Sequence, residues 1–132
     1  MLNYSAKLIL AFGETITGNK KILDWLLNNG YPDLAALSYS IRGSEEAFKF
    51  LLKYYPRLAA LDAAIDNNEK AYLWLKEHNY PFNIIFADAC HGKPEALKWL
   101  MNHHLEGFIG VTEKIRYFRE NQYFDIHKQT FL

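Results

Sequence analysis

Three aspartates come nearest in this chain to a constellation for acid–base chemistry or cation binding. Asp62 and Asp66 lie four residues apart, which places both carboxylates on one face of a helix, and a neighbouring helix could bring Asp88 beside them. Paired carboxylates can transfer protons or hold a hard cation. The same pair is also common on solvated helices, where Arg42 and His91 could neutralise it by ordinary ion pairing. We therefore predict no catalytic role for the three aspartates.

One group of residues has metal-ligand character, namely His91, His103, His104 and Glu106. Adjacent histidines project to different sides of a helix, and no second set of ligands follows at helical spacing, so we expect no zinc site. The single cysteine, Cys90, lies in an apolar helical pattern and is expected to be a small buried residue. No glycine-rich phosphate loop and no nucleophile in a recognisable setting occurs. The sequence predicts neither an enzyme nor a cofactor or metal.

A short sequence pattern recurs along the chain and indicates what would position these side chains. Each copy opens with a glycine or asparagine anchor, continues with charged residues and ends in paired apolar ones. The anchors, which lie about 25 residues apart, are Gly18, Gly43, Asn67 and Gly92. A fixed period of this length is typical of an array built from one repeated supersecondary unit.

Each unit is predicted to be a pair of helices. Apolar residues four, five, seven and eight positions after the anchor give an amphipathic outer helix. A Tyr-Pro pair ends the first three outer helices, and the interval from each proline to the next anchor is the same in all three cases. That interval predicts inner helices over 34–41, 58–65 and 84–90. Helices should therefore start near positions 34, 44, 58, 68, 83 and 93, with no β-hairpin between pairs.

The whole chain is thus predicted to be one all-α domain over residues 1–132, an α-solenoid of about five stacked antiparallel helix pairs. The approximate units are 8–32, 33–56, 57–81, 82–107 and 108–132. The last unit is irregular, with a pseudo-anchor near Phe118. Four aromatic residues share one repeat position and are expected to be largely buried between layers; they are Trp25, Phe50, Trp74 and Trp99.

The residues of the second unit resemble an ankyrin repeat. Its sequence LAALSYSIRGSEEAFKFLL, residues 34–52, is similar to the two-helix part of that motif, with a short helix of small residues, a glycine turn and a longer helix. The period is about 25 where an ankyrin unit has about 33, and the Thr-Pro-Leu-His tetrapeptide is missing. The resemblance implies short repeats without the β-hairpin finger, and protein binding at the inner-helix surface. An unrelated short αα-solenoid is the alternative.

Composition narrows the class of partner. The 15 basic and 15 acidic residues cancel, which makes nucleic acid an unlikely partner. Basic and aromatic residues do alternate over 114–128, but the aromatic ones can form the apolar side of a capping helix pair. No apolar stretch approaches the roughly 20 residues of a membrane span, so no membrane partner is predicted. A single cysteine suits a reducing compartment, and we expect an intracellular, cytoplasmic protein.

The inner-helix positions one and five residues before each anchor share a helix face. Because they are hydrophilic between apolar neighbours, we expect them to be exposed on the concave surface and to form the binding row, although plain solvation would explain the same pattern. The candidate residues are Thr17, Ser38, Arg42, Asp62, Asp66, His91 and Tyr117. The leading prediction is a non-catalytic scaffold that binds another protein. A small-ligand or nucleic-acid binding module and a purely structural fragment are the alternatives.

Overall fold

A computed structural model describes residues 4–121, and these residues form α-helices and no β-strand. The helices alternate between short inner and outer segments joined by tight turns. Their bounds are α1 Ala6–Ile16, α2 Lys20–Asn28, α3 Pro32–Ile41, α4 Glu45–Tyr54, α5 Pro56–Ile65, α6 Glu69–Glu77, α7 Pro81–Cys90, α8 Pro94–Asn102 and α9 Glu106–Glu120. The all-α prediction is confirmed for this part of the chain.

The predicted helix boundaries agree with the structure to within three residues. The inner helices α3, α5 and α7 end at Ile41, Ile65 and Cys90, as the repeat predicted. They begin two or three residues earlier than predicted because each proline is the first helical residue. A proline fits there since its missing N–H would have no partner within the helix.

Anchor and cap residues produce the turn between an inner and an outer helix. Asn67 takes a positive φ of 67°, the conformation that glycine adopts at the other anchors. The next residue caps the outer helix: the Ser44 side chain accepts from the Ala47 N–H at 3.1 Å, and the Asn68 side chain accepts from the Ala71 N–H at 3.0 Å.

The five odd-numbered helices form a closed ring. Each of α3, α5 and α7 packs against the odd-numbered helix before it and the one after it, and α1 packs directly against α9. Gly13 of α1 faces Val111 of α9, and Lys114 Nζ lies 2.9 Å from Glu14 Oε1 across the same junction. The helices α2, α4, α6 and α8 lie outside the ring, each against two neighbouring inner helices.

The leucine eight positions after each anchor holds the outer helices against the ring. Leu26, Leu51, Leu75 and Leu100 are all fully buried. The expectation that the aromatic residue one position earlier is largely buried is wrong for Trp25 and Phe50, which are 48% and 36% exposed. Trp74 and Trp99 are half-buried.

Two of these aromatic rings stack on a tyrosine of the following turn. Trp25 stacks on Tyr31 with ring centroids 6.3 Å apart, and Trp74 stacks on Tyr80 at 6.0 Å. These tyrosines belong to the turns that precede α3 and α7. At these two positions the aromatic residue packs on the turn between units, whereas Trp99 packs on the buried Phe82 with ring centroids 6.1 Å apart.

The last described helix departs from the repeat. The expected pseudo-anchor near Phe118 lies inside α9, which continues as a helix to Glu120. The second helix predicted for unit 108–132 lies outside the described residues. Within residues 4–121 the structure therefore has four complete helix pairs and a fifth inner helix.

Candidate functional site

The seven candidate binding residues do not form one exposed row. Thr17 and Arg42 are exposed, His91 is half-buried, and Tyr117 is 70% exposed. The remaining three, Ser38, Asp62 and Asp66, are buried, so the expectation that they line an open concave surface is wrong.

The closure of the ring explains why some of these residues are exposed and others are buried. Positions five residues before an anchor, such as Ser38 and Asp62, point into an interior that the α1–α9 contact closes. Positions one residue before an anchor cap the inner helices at the rim, where Thr17 and Arg42 reach solvent. We call this rim, with the turns 17–19, 42–44, 66–68 and 91–93, the turn face.

The ring interior holds a small set of polar groups. The Ser40 hydroxyl donates to the Asp62 carboxylate, which joins α3 to α5 inside the core. The Ser38 hydroxyl oxygen is also buried and has no hydrogen-bond partner among the described residues. Burial raises the pKa of the Cys90 thiol, which stays protonated at neutral pH. Because Asp62 is fully buried, its carboxylate is not accessible to a substrate in this structure.

Asp66 joins the third unit to the last described helix. Its Oδ1 atom lies 3.1 Å from Nε of Arg119, and the Asp66 side chain is only 3% exposed. This ion pair spans 53 residues of sequence. The repeat pattern did not predict this ion pair, since Arg119 lies past the position where the other inner helices end. Its role is therefore to connect α5 with α9.

Asp88, the third aspartate, takes part in a different set of contacts. It accepts a hydrogen bond from the Tyr72 hydroxyl at 3.2 Å, and its Oδ1 atom lies 3.3 Å from Lys93 Nζ. Burial, together with the nearby Asp88 carboxylate, raises the pKa of Tyr72. Each of the three aspartates thus engages a different partner.

A surface cavity of about 370 Å³ lies on the turn face between the anchor turns of the third and fourth units. We call it the turn groove. Its inner wall contains Ala64 and Ala87, and its rim carries Tyr72, Asp88 and Lys93. An apolar wall with a few polar groups at the rim is the usual composition of a binding cavity. His91, which also lines the groove, was a predicted binding residue, and Asp88 was considered from the sequence; Tyr72 and Lys93 were not, because the repeat consensus does not distinguish the polar members of one layer.

His91 lines both this groove and a second cavity of about 250 Å³, which Arg116, Arg119 and Glu120 also line. Its Nε2 atom is buried and has no hydrogen-bond partner among residues 4–121. Burial lowers the pKa of His91, and the positive charges of Arg119 and Lys93 lower it further. The imidazole is therefore neutral at pH 7.

The arginines of α9 are engaged within the protein. Arg116 Nε lies 3.1 Å from Glu120 Oε1, and Arg119 is paired with Asp66. Each arginine of the basic and aromatic segment thus has a carboxylate partner within residues 4–121. The rest of that basic and aromatic segment, 122–128, lies outside the described residues.

Residues 4–121 contain no group of three or more histidine, cysteine or acidic side chains placed to hold a metal ion. None of the helices α1 to α9 combines the length and the apolar character that are needed to cross a membrane.

Comparisons with other proteins give no assignment by similarity. No family model, no characterised protein and no solved structure matches the chain. Function is therefore argued from the geometry of the site alone.

Proposed function

We propose that this chain is a short, ankyrin-like helical repeat protein that binds another protein without catalysing a reaction. The repeat would be a shortened α-solenoid of about five helix pairs, its ends joined through α1 and α9. Such repeats present rigid surfaces formed by equivalent positions in successive units. The interaction function is the one predicted from the sequence, but the binding surface would be the turn face instead of the ring interior.

The turn groove is the observation that carries this proposal. It combines apolar side chains with the charged groups of Glu69, Asp88 and Lys93, so it can bury an apolar residue of a partner and pair with a charge beside it. Leu73, which lines the groove, is 53% exposed. Exposed apolar side chains beside a polar rim are typical of a protein-binding surface.

The groove alone is smaller than a stable protein interface, which buries about 800 Å² on each partner. We therefore expect the partner to extend along the turn face toward Arg42 and Thr17, which are both exposed. An array supplies such an extended surface because each anchor turn repeats the geometry of the previous one.

The test compares two pairs of charge reversals on the full chain. Arg42→Glu with Lys93→Glu changes the turn face, and Lys49→Glu with Lys70→Glu makes the same change in charge at exposed outer-helix positions. Proteins captured from the native host are first identified, and each is then purified and titrated against the variants by calorimetry. We expect the turn-face pair to weaken binding at least tenfold and the outer pair to change it less than twofold.

Two results would refute the proposal. One is the reverse order of effects, which would place the interface on the outer helices. The other is the failure of every captured protein to bind the purified chain directly.

A further inference from the structure

The second cavity that His91 lines is formed by a part of α9 that lies outside the repeat. The inner helices α3, α5 and α7 are each 10 residues long, whereas α9 continues for 15 residues to Glu120. Residues 116–120 therefore have no counterpart in the other three helices, and they face the end of α7 across the cavity. We call it the arginine cavity, and its lining residues are Cys90, His91, Arg116, Arg119 and Glu120.

Arg116 lies against the anchor turn of the fourth unit. A Cβ atom added at Gly92 would be 2.6 Å from Nη1 of Arg116 and 2.8 Å from its Cζ atom, which is closer than side-chain atoms approach. Gly92 also has a positive φ of 73°. The glycine at this anchor thus leaves the space that the guanidinium occupies, and Arg116 lines the same cavity as His91, the residue before the anchor.

The two arginines differ in the exposure of their carboxylate partners. Arg119 Nε lies 3.1 Å from Asp66 Oδ1, and the Asp66 side chain is only 3% exposed. Arg116 Nε lies 3.1 Å from Glu120 Oε1, but these two side chains are 49% and 60% exposed. An exposed ion pair between residues four apart on a helix contributes little to stability. Another anion can therefore replace Glu120 at Arg116 at little cost.

The hydrogen-bond donors of the arginine cavity suit an oxyanion. Both carboxylates are contacted by the Nε atom of their arginine, and the terminal nitrogens of a guanidinium carry further N–H donors in a fixed fork. That fork matches the oxygens of a phosphate group. The Nε2 atom of His91 is buried and has no hydrogen-bond partner within residues 4–121. Buried polar atoms in proteins are nearly always hydrogen-bonded, and an oxyanion could accept from this nitrogen when it carries the proton.

The electrostatic potential at His91 is also favourable for an anion. Burial is the main cause of the lowered pKa of His91. The positive charges of Arg119 and Lys93 lower this pKa further, and the carboxylates of Asp88 and Asp66 raise it by less. The imidazole ring therefore lies in a net positive potential, which would attract an anion into the cavity beside it.

We propose that the arginine cavity binds a phosphate group, held by Arg116 and Arg119 with His91 as a third donor. The volume of about 250 Å³ is below the roughly 300–1,000 Å³ of pockets for drug-sized ligands, so the ligand is one phosphate group with at most a small substituent. This group would displace Glu120 from Arg116 and leave the ion pair of Arg119 with Asp66 in place. It can come from inorganic phosphate or from a phosphorylated side chain of a peptide, which share the same oxyanion chemistry.

Phosphate binding is measured on the full chain by ¹H–¹⁵N correlation spectra, with sodium chloride used to hold the ionic strength constant. We expect saturable shifts of the amide resonances of residues 90–92 and 116–120. Arg116→Gln should weaken phosphate binding at least tenfold, because it removes one charge-assisted fork. Arg42→Gln is the matched control, since Arg42 is an exposed arginine of the same turn face, and it should change the affinity less than twofold.

Glu120→Gln tests the displacement of the competing carboxylate. This variant should bind phosphate at least threefold more tightly than the wild type, and Glu113→Gln, at another exposed position of α9, should leave the affinity unchanged. Both variants keep the buried ion pair between Asp66 and Arg119. The probe is an inorganic ion, so the result does not depend on whether a partner protein binds the turn groove.

A capped tripeptide with a central phosphoserine separates the two sources of the phosphate group. Tighter binding of this peptide than of inorganic phosphate would support a phosphorylated side chain as the ligand. Equal or weaker binding would support free phosphate.

Four results would overturn the inference. The first is no saturable shift with phosphate at constant ionic strength. The second is an equal loss of affinity with Arg116→Gln and Arg42→Gln, and the third is an equal gain with Glu120→Gln and Glu113→Gln. The fourth is a tenfold gain in phosphate affinity with Asp125→Asn, which would show that a carboxylate of this chain occupies the cavity.

Discussion

Replacing Gly13 by leucine should destabilise the protein because Gly13 is a contact point between the first and last described helices. A Cβ atom at Gly13 would lie 3.1 Å from Val111 Cγ2 and 3.7 Å from the Lys114 side chain. The further carbons of leucine have no space there unless α1 moves away from α9. This substitution therefore tests the closure of the ring.

The magnitude follows from two opposing effects. Leucine favours a helix over glycine by about 1 kcal/mol. Forcing extra carbons into a packed junction costs typically about 1–3 kcal/mol, and more where a backbone has to shift. We expect a net loss of about 1–2 kcal/mol, which for a domain of 132 residues lowers the melting temperature by about 3–8 °C.

Gly110→Leu is the matched control. Gly110 is also inside a helix, but nothing lies within 4 Å of its added Cβ, so only the gain in helix propensity remains. We expect this variant to melt about 2–4 °C above the wild type, from a gain of about 0.5–1 kcal/mol. Thermal unfolding is followed by far-ultraviolet circular dichroism for all three proteins. Equal shifts for the two variants would refute the packing of α1 against α9.

Three further predictions concern the core, the long-range ion pair and the half-buried His91. Leu51→Ala should lower the free energy of unfolding in urea by about 3 kcal/mol and Phe50→Ala by about 1–2 kcal/mol, because Leu51 is fully buried and Phe50 is 36% exposed. The opposite order would show that the aromatic residue, and not the leucine, belongs to the core. Arg119→Ala should lower the free energy of unfolding by about 3 kcal/mol, since it removes the ion pair of the buried Asp66 carboxylate. A loss below about 0.5 kcal/mol would show that the ion pair is not formed in solution. His91 should destabilise the protein in acid because its pKa is lower in the folded state than its ordinary value of 6.5. The contribution of neutral His91 to stability is therefore complete above pH 6.5 and is lost as the pH falls below that value. His91→Gln should reduce the fall in melting temperature between pH 7 and pH 5.

The sequence by itself determined the local elements. The repeat period, the Tyr-Pro pairs and the glycine or asparagine anchors predicted the inner helices α3, α5 and α7 and their ends, because proline and positive-φ residues act within one or two residues of the turn. The burial of the leucine eight positions after the anchor also follows from the same helical period.

Which residues of the repeat face solvent depended on the tertiary structure. A polar residue at a repeated position is equally compatible with an open surface and with a closed interior, so Ser38, Asp62 and Asp66 were expected to be exposed and are buried. The same ambiguity applies to large aromatic residues, since Trp25 can pack on the turn tyrosine beside it as well as between layers.

Ring closure is the feature that only the tertiary structure decided. It depends on the small rotation between successive helix pairs, which accumulates over five units until α1 meets α9. The sequence of a single repeat does not determine this accumulated rotation. The contacts it creates, between Gly13 and Val111 and between Asp66 and Arg119, join residues far apart in the sequence, and they decide which faces of the repeat remain free to bind.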